Sequence, residues 1–407
     1  MNTTQKSIEL LAPARGLEQL EYALHYGADA VYIGGERFGL RQRAQNFSVE
    51  EIALGAKRAH KANKRLFVTI NAVMHEDDLV PLCSYLEEIE AAGVDAVIVS
   101  DLAALKTAQR CAPSAKIHVS TQASVANSEA AMAWRDLGAS RIVLARELSL
   151  TEIAAVKEAV GETLEVEVFV HGAMCMAYSG RCLISNYLAG RDANRGHCTH
   201  PCRWQYALLE ETRPGQIFPI EEDSRGTFIM NSKDLMMLEH LNELKGAGVD
   251  SIKIEGRMKG SYYVATVINA YRQVLDGAAP KDFLREMDCV SHRPYSTGFF
   301  FGEASQALDA SEYEQTHILV ADVVSWTEGR VVVNLRNRIL EGDTLEVLSP
   351  KIPVRTFVAK NIQDGKGESC AVASANMKTY SFDAPFEIRP MDIIRKEVER
   401  ENASSNG

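Results

Sequence analysis

The feature that most constrains this chain is a regular alternation of short apolar runs with amphipathic helical patterns. Eight runs rich in β-branched residues recur: IELLA (8–12), AVYIG (30–34), LFVTI (66–70), AVIVS (96–100), KIHVS (116–120), RIVLA (141–145), EVEVFV (165–170) and SIKIEG (251–256). Strands that alternate with helices predict a parallel sheet with helical crossovers. Eight such units predict an α/β fold, a (β/α)8 TIM-like barrel, although an open doubly wound sheet would use the same pattern.

A repeated phrase supports the parallel arrangement. It reads YGADAVYIG, AGVDAVIVS and AGVDSIKIE, and each copy leads into one of the apolar runs. Glycine commonly ends a helix because it adopts the left-handed conformation without strain. The phrase therefore predicts a helix that ends at the glycine, a turn that carries the aspartate, and a parallel strand that follows.

A long interval separates the last two runs. The seventh run starts at residue 165 and the eighth at residue 251, so an insertion must follow strand 7, and we assign it to 171–233. Four of the eight cysteines lie in this interval. The segment after a barrel strand opens onto the carboxyl-end face, where barrel enzymes place their chemistry. The interval also predicts a hairpin (YALLEE with GTFIMNS) and a helix (DLMMLEHLNELKGAG).

The pattern changes after the eighth run, which divides the chain into domains. The barrel is expected to span 1–277 and to end with a helix at 261–277. A mixed connector follows at 278–313. Short strands with turns then predict a small β-barrel or sandwich domain over 314–397, and the polar tail 398–407 is expected to be disordered.

Charge limits the classes of partner. The net charge is −11, and an acidic protein is a poor general binder of nucleic acid, because phosphate contacts require Lys and Arg. Any RNA would have to meet a local basic face. The cysteine-bearing stretch offers one candidate, with Arg181, Arg191, Arg195 and Arg203 against Asp192. A solvated loop is the simpler interpretation of the same residues.

The N-terminus has no apolar leader, and no stretch approaches the ~20 apolar residues of a membrane span. We therefore expect a cytoplasmic protein without a membrane partner. Thiols are kept reduced in that compartment, so a cysteine cluster there is more often metal-binding or catalytic than disulfide-bonded.

The four clustered cysteines are Cys175, Cys182, Cys198 and Cys202, in the spacing C-x6-C-x15-C-x3-C. Zinc usually uses paired C-x2–4-C knuckles, which only the last pair resembles. The absence of C-x-x-C weakens a thioredoxin-like interpretation. Iron–sulfur ligation, zinc and unligated thiols all remain open from spacing alone. The other four cysteines are expected to be packing residues: Cys83, Cys111, Cys289 and Cys370.

Hydrolytic motifs are missing from the sequence. It has no G-x-S-x-G, and HEDDL (75–79) lacks the second histidine of H-E-x-x-H. Cys175 lies four residues after His171, so a lone Cys–His nucleophile pair stays an alternative.

A longer string carries a resemblance to a known family. This string resembles, position by position, the signature of the collagenase-like peptidases of family U32. It reads Glu167-x-Phe169-x2-Gly172-Ala173-Met174-Cys175-x4-Gly180-x-Cys182-x-Ile184-Ser185. Further pieces extend the resemblance over nearly the whole chain: LLAPARG, GADAVYIGG, LARELSL, MNSKDL, KIEGR and HRPYSTGF.

The resemblance implies an oxygen-independent hydroxylation system. Members of the family hydroxylate the wobble uridine of tRNA, a cytidine of ribosomal RNA or a ubiquinone precursor, and prephenate is a required metabolite. The extra β domain is typical of the tRNA branch. We therefore expect a tRNA-modifying enzyme that makes 5-hydroxyuridine, with peptidase activity or hydroxylation of another RNA or of a ubiquinone precursor as alternatives.

The resemblance also implies a 4Fe-4S cluster. Cys175, Cys182 and Cys198 match the family's ligand pattern, and Cys202 is the natural candidate for the fourth ligand. Prephenate is expected as co-substrate or hydroxyl source. The expected partners are a tRNA anticodon loop, the small carboxylate metabolite, and a partner subunit or second copy of the chain.

Three sets of residues complete the expected site. A dicarboxylate needs cations, which the strand ends supply at Arg41, Arg43, Arg146 and Arg257. For Arg146, a salt bridge with Glu147 or Glu255 is the alternative. Strand-end residues of barrels are commonly catalytic, and four polar ones lie there: Asn71, Gln122, His171 and Glu255. The four arginines of the cysteine stretch (181, 191, 195, 203) are the expected phosphate contacts.

Overall fold

The computed structural model describes residues 7–40, 45–175, 182, 184–191, 193–199, 201, 222–223, 226–227, 233–302 and 313–398. The chain divides into two compact units. The first comprises Met1–Leu24, Ala28–Gly260 and Arg293–Tyr313, and the second comprises His25–Gly27, Ser261–His292 and Glu314–Gly407.

The first unit contains a closed barrel of eight parallel strands. They are β1 (Glu9–Ala14), β2 (Ala30–Gly34), β3 (Arg65–Ile70), β4 (Ala96–Val99), β5 (Lys116–Val119), β6 (Arg141–Val143), β7 (Glu165–Gly172) and β8 (Ser251–Ile254). Neighbours pair in chain order, and β8 pairs with both β7 and β1. The predicted barrel is therefore confirmed, and the open-sheet alternative is wrong.

Helices connect the strands. They are α1 (Leu17–His25), α2 (Val49–Lys61), α3 (Leu79–Ala91), α4 (Leu102–Cys111), α5 (Ser128–Asp136) and α6 (Leu150–Val160), followed by the short helices α7 (Ile184–Ala189) and α8 (Leu241–Gly246). Side-chain caps fix several helix starts: Ser48 and Ser149 form capping boxes, and Asp101 accepts two backbone N–H groups of α4. Such caps satisfy the orphan donors of the first turn.

The repeated Gly–Asp phrase has a structural explanation in all three copies. The glycines have positive φ, at Gly27 (107°), Gly93 (83°) and Gly248 (77°). The carboxylates that follow accept a backbone N–H from a neighbouring strand, Asp29 from Leu10, Asp95 from Leu66 and Asp250 from Val166. The phrase therefore ends a helix and also ties the start of its strand to the adjacent one.

Four buried charges lie inside the barrel near the amino ends of the strands. Arg141 Nη1 donates to Glu167 at 2.8 Å and also bonds Glu9, while Lys253 Nζ donates to Glu167 at 3.0 Å. Burial alone would raise the pKa of Glu167, but Lys253 and Arg141 outweigh it and lower that pKa. Arg65, which is partly exposed, also pairs with Glu9, so both carboxylates have cationic partners in a region that is almost closed to solvent.

β7 extends beyond the barrel. Its last residues, His171 and Gly172, pair antiparallel with a short strand, Asp234–Met236, which pairs in turn with Tyr295–Ser296. The helix predicted at DLMMLEHLNELKGAG is therefore wrong in its first part, because the open edge of β7 recruits those residues as a strand, and α8 begins only at Leu241. At the predicted hairpin, Gly226–Thr227 of GTFIMNS pairs with Glu222–Asp223, which the prediction did not include, and YALLEE lies outside the described residues.

The second unit contains helices α9 (Ser261–Leu275) and α10 (Leu284–Asp288) and an antiparallel sheet. Its long strands are β9 (His317–Thr327), β10 (Arg330–Leu335), β11 (Thr344–Ser349), β12 (Ile352–Val358), β13 (Thr379–Asp383) and β14 (Ile393–Glu397). The strand order is β12-β11-β14-β9-β10-β13, with Gln363–Asp364 at one edge, and Ile339–Leu340 pairs separately with Val372–Ala373. The predicted C-terminal β domain is thus present.

The division of the chain differs from the predicted boundary at residue 277, since residues 261–292 group with the sheet. Arg395 of β14 donates to both carboxylate oxygens of Glu286 in α10 at 2.7 Å. Tyr262 of α9 donates to the carbonyl of Cys289 at 3.0 Å. The first contact joins α10 to the C-terminal sheet, and the second joins α9 to the end of α10.

The expectation that Cys83 and Cys111 are packing residues is wrong, because they form a disulfide between α3 and α4. The two helices are neighbours, and the Cα atoms lie 5.5 Å apart. Cys289 is buried and Cys370 packs against the C-terminal core, as expected. Among the described residues, no helix has the length and apolar character that crossing a membrane requires.

Candidate active site

The carboxyl ends of the eight strands form one face of the barrel, here called the barrel mouth. Six of the predicted site residues lie at strand ends on this face: Asn71, Gln122, Arg146, His171, Glu255 and Arg257. Arg41 and Arg43, predicted for the same face, lie outside the described residues.

Arg257, three residues beyond β8, is almost fully buried, with 4% of its surface exposed. Its Nη2 donates to Asn46 Oδ1 at 2.8 Å, and its Nη1 lies 3.4 Å from Thr69 Oγ1. A Cβ atom on Gly34 would lie only 2.1 Å from Nη2. The glycine that ends β2 therefore makes room for this guanidinium, a requirement that sequence reasoning missed.

Arg146, after β6, lies beside the start of the cysteine stretch. Its Nη1 donates to the carbonyl of Ala173 at 3.1 Å, and its guanidinium lies 5.4 Å from the Phe169 ring centroid. Burial acts to lower the pKa of Arg146, but Cys175, and then Glu255 and Glu147, outweigh it and raise that pKa. The guanidinium thus faces the Cys175 thiol as well as Glu147 and Glu255, the two carboxylates considered above as its salt-bridge partners.

Glu255 is half-buried, and its Oε2 lies 3.2 Å from the Tyr32 hydroxyl, which is also 3.0 Å from the Ile254 carbonyl. Lys253 lies beneath them, with its Nζ 4.4 Å from the Tyr32 ring centroid. Sequence reasoning did not select Tyr32, Lys253 or Phe169. Strand alternation could have found them, since it turns every second residue of each strand into the barrel.

The other three candidates are held by structural contacts. His171 is 1% exposed and packs its ring 5.5 Å from that of Tyr295. Asn71 Oδ1 accepts the N–H of Leu40 at 3.3 Å, so it braces the loop that leads to Arg41. Gln122 lies half-buried in a 3-10 turn capped by Ser120.

Three of the four clustered cysteines are described. Cys175 is exposed, Cys182 and Cys198 are partly buried, and Cys202 lies outside the described residues. Thr199 N–H donates to Ser185 Oγ at 3.2 Å, which joins the segment after Cys182 to the one after Cys198.

Within the described residues, the side-chain ligand atoms that gather within 4.8 Å of one another are those of Cys83, Glu87 and Cys111, and not those of Cys175, Cys182 and Cys198. Cys83 and Cys111 lie close because they form the disulfide. A single zinc ion bound by three thiolates at 2.3 Å would hold their sulfur atoms about 4 Å apart. The observed arrangement therefore does not match a preformed zinc site.

The predicted RNA-contacting arginines separate into three groups. Arg191 is exposed. Arg195 donates to the carbonyl of Val73 at 3.1 Å and lies 3.0 Å from Asp78 Oδ2. Arg181 and Arg203 lie outside the described residues.

Comparison with known proteins decides the family. The model of peptidase family U32 matches residues 15–310, and the model of the peptidase family U32 C-terminal domain matches 315–395. This chain belongs to peptidase family U32. The resemblance carried by the Glu167–Ser185 string is thereby confirmed, and the two matches correspond to the barrel with its connector and to the β domain.

Members of U32 with curated names are similar over most of the chain. The tRNA hydroxylation protein P1 of Bacillus subtilis is 39% identical, covering 96% of this chain and 95% of its own length. The tRNA hydroxylation protein P of Escherichia coli is 34% identical, with 93% and 94% covered. The 23S rRNA 5-hydroxycytidine C2501 synthase of E. coli is 35% identical, over 86% of this chain but 53% of that protein. The solved structure of the U32 peptidase Mk0906 covers 62% of this chain and 94% of its own, at 16% identity and a TM-score of 0.41.

Proposed function

We propose that this U32 protein is an RNA-modifying enzyme that hydroxylates the wobble uridine of tRNA to 5-hydroxyuridine at the barrel mouth. The observation that carries the proposal is that the cysteine stretch begins at the mouth itself, where Cys175 meets the Arg146 guanidinium. A thiol, a fixed cation and a carboxylate thus lie on one face. The tRNA-acting relatives at 39% and 34% identity support the same substrate.

We propose that Cys175, Cys182 and Cys198 hold a 4Fe-4S cluster, with Cys202 as the fourth ligand. The donor set fits, because thiolates are the preferred ligands of such clusters. The sulfur atoms do not gather as one metal ion would need, and a cluster is a wider object than an ion. When bound, the cluster would supply one-electron chemistry at the mouth.

Replacing the C5 hydrogen of uridine by a hydroxyl group is a two-electron oxidation, for which we propose the small carboxylate metabolite as the oxygen donor: its C–O bond breaks, the oxygen joins C5, and the donor carbon takes up the two electrons and a proton. A protein group must therefore carry the C5 proton away from the ring. Glu255 suits this role best, since its carboxylate is half-exposed at the mouth and the Tyr32 hydroxyl orients it. Asn71 and Gln122 carry amides, which neither gain nor lose a net proton near neutral pH, and the buried His171 ring packs against Tyr295. We therefore assign proton transfer to Glu255.

Arg146 and Arg257 would bind the carboxylates of a small metabolite, for which prephenate is our candidate. A guanidinium matches a carboxylate as a two-point donor, and both arginines are pre-positioned by neutral partners, the Ala173 carbonyl and the Asn46 amide. The uridine itself would have to leave its stack and enter the mouth, as in other enzymes that act on a base.

The tRNA assignment is favoured over ribosomal RNA by coverage. The two tRNA-acting relatives align over nearly their whole length, whereas the ribosomal-RNA enzyme has about half its length outside the match.

The test is a nucleoside mass comparison of bulk tRNA from cells with and without the gene, complemented with variants. We expect 5-hydroxyuridine and its derivatives to vanish without the gene and to return with the wild type. Glu255→Gln should restore about 1% or less, because general-base groups contribute roughly 10²–10⁴-fold. Glu158→Gln, at an exposed position of α6, is the matched control and should restore wild-type levels. Unchanged nucleosides in the deletion strain would reject the proposal.

The family name keeps peptidase activity as a second candidate. It predicts cleavage of gelatin or casein that survives repurification and disappears in Cys175→Ala. Cleavage that persists in that variant would point to a contaminating protease and remove this candidate.

A further inference from the structure

The HEDDL segment has a role that its sequence did not reveal. It lies between β3 and α3, and Asp78 ties it into a tight turn. His75 N–H donates to Asp78 Oδ2 at 2.8 Å, and Asp78 N–H donates back to the His75 carbonyl at 3.0 Å. The carboxylate of Asp78 is therefore held in one place by the backbone of its own turn.

Arg195, from the cysteine stretch, contacts this turn. Its Nη1 donates to the Val73 carbonyl at 3.1 Å and lies 3.0 Å from Asp78 Oδ2, with about a quarter of each charged side chain exposed (28% and 24%). Burial acts to raise the pKa of Asp78, but the His75 N–H and the Arg195 guanidinium outweigh it and lower that pKa. A phosphate-binding arginine would direct its guanidinium to solvent, whereas this one is directed at the protein.

The position of Arg195 links this contact to two cysteines. Arg195 ends a 3-10 turn, Ala193–Arg195, three residues before Cys198. Thr199, the residue after Cys198, donates its N–H to the hydroxyl of Ser185. Ser185 is fully buried and lies three residues after Cys182. A shift of the Arg195 turn would therefore move the segments of both cysteines.

We propose that Arg195 and Asp78 form an ion pair that fixes the cysteine-bearing segment 182–199 to the β3–α3 loop and so positions Cys182 and Cys198 for metal. Arg195 is then a positioning residue and not a contact for RNA. Only the consequence for the cluster rests on the proposed function, since the ion pair itself does not require metal.

Charge reversal tests the pair in the full-length protein, first with iron removed. The variants are Arg195→Glu, Asp78→Arg and the double reversal. Arg191→Glu and Asp77→Arg are matched controls, because both residues are exposed and lie on the same two segments. Asp78→Asn is added because it keeps an oxygen to accept the His75 N–H while removing the charge.

We expect amide hydrogen exchange across 193–199 to speed up about tenfold in either single reversal and in Asp78→Asn, because local opening no longer breaks the ion pair. The double reversal should recover at least half of the change in the logarithm of the exchange rate. Both controls should exchange at the wild-type rate. In iron-loaded protein, the visible absorbance of the cluster should be lost to a chelator faster in the same variants.

Exchange in Arg195→Glu that equals exchange in Arg191→Glu would overturn the proposal. A loss of tRNA affinity in Arg195→Glu with unchanged exchange would also overturn it, because that result assigns the arginine to RNA. Faster exchange with no iron or sulfide in any preparation would support the ion pair while rejecting the cluster, so the two proposals fail separately.

Discussion

Replacing Arg141 with methionine should be among the most destabilising single changes in the barrel. The side chain is 1% exposed, and its guanidinium contacts Glu9, Glu165 and Glu167. Without it, Glu167 would keep only Lys253 as an ion-pair partner, and Glu9 would keep only Arg65, whose side chain is 42% exposed. Removing one partner from a buried ion pair typically costs about 3–5 kcal/mol, because it leaves an uncompensated charge.

The contact with Glu165 should add little to this loss. A third of the Glu165 side chain is exposed (34%), and solvent-screened pairs contribute about 0–1 kcal/mol. We therefore expect the free energy of unfolding to fall by about 3–5 kcal/mol, a large part of the ~5–15 kcal/mol that stabilises an ordinary domain.

Urea unfolding followed by circular dichroism measures the loss. Arg135→Met is the matched control, since it removes the same charge from a surface pair with Asp136 and should cost about 1 kcal/mol or less. Combining Arg141→Met with Glu9→Gln restores the balance between Glu167 and Lys253 and should recover about 1 kcal/mol or more of the loss. A cost in Arg141→Met no greater than in Arg135→Met, or a double variant no more stable than the single one, would refute the reasoning.

Two further changes test the barrel interior and its mouth. His118 is buried against Phe67, and burial, followed by the charge of Arg141, holds its pKa well below 6.5. Below pH ~6.5 the unfolded chain therefore binds a proton at His118 that the folded chain does not. The free energy of unfolding is highest above pH ~6.5 and should fall by about 1.4 kcal/mol by pH ~5.5. His118→Phe should remove that component of the pH dependence, and a profile identical to wild type would show that His118 does not titrate this way. Gly34→Ala should displace the Arg257 guanidinium and, on the proposed function, lower tRNA hydroxylation up to about a hundredfold, the loss that a displacement of about 1 Å can cause. Gly246→Ala, which has open space around it, is the control, and equal activity in the two variants would contradict the role of Gly34.

The barrel could be predicted from sequence because its signals are local. Each Gly–Asp phrase carries a helix end and a strand start within a few residues, and the structure shows why both residue types are needed. The strand Asp234–Met236 was missed for the opposite reason. This strand forms only because the end of β7 at Gly172, more than sixty positions earlier, leaves an open edge for it. Its own residues suit a helix as well as a strand.

The candidate site was predicted less completely because its contacts are distant in the chain. Arg195 looked like part of a basic patch, and its partner Asp78 lies on another loop that only the folded barrel brings close. Cys83 and Cys111 gave no spacing signal, since they meet through the packing of α3 on α4. Gly34 could be recognised as necessary only once Arg257 was seen to lie over it.

The pairing of Gly172 with Leu235 has a consequence for how the barrel can change over time. The chain leaves the barrel at Gly172 and returns at Leu235, directly across one ladder. The closure of the intervening loop is therefore secured by backbone pairing outside the eight-stranded ring. Doubling the length of such a loop costs only about 0.6 kcal/mol of closure entropy. The segment between these residues can thus lengthen, shorten or be replaced with little effect on the barrel, so one scaffold can present different segments at the same mouth.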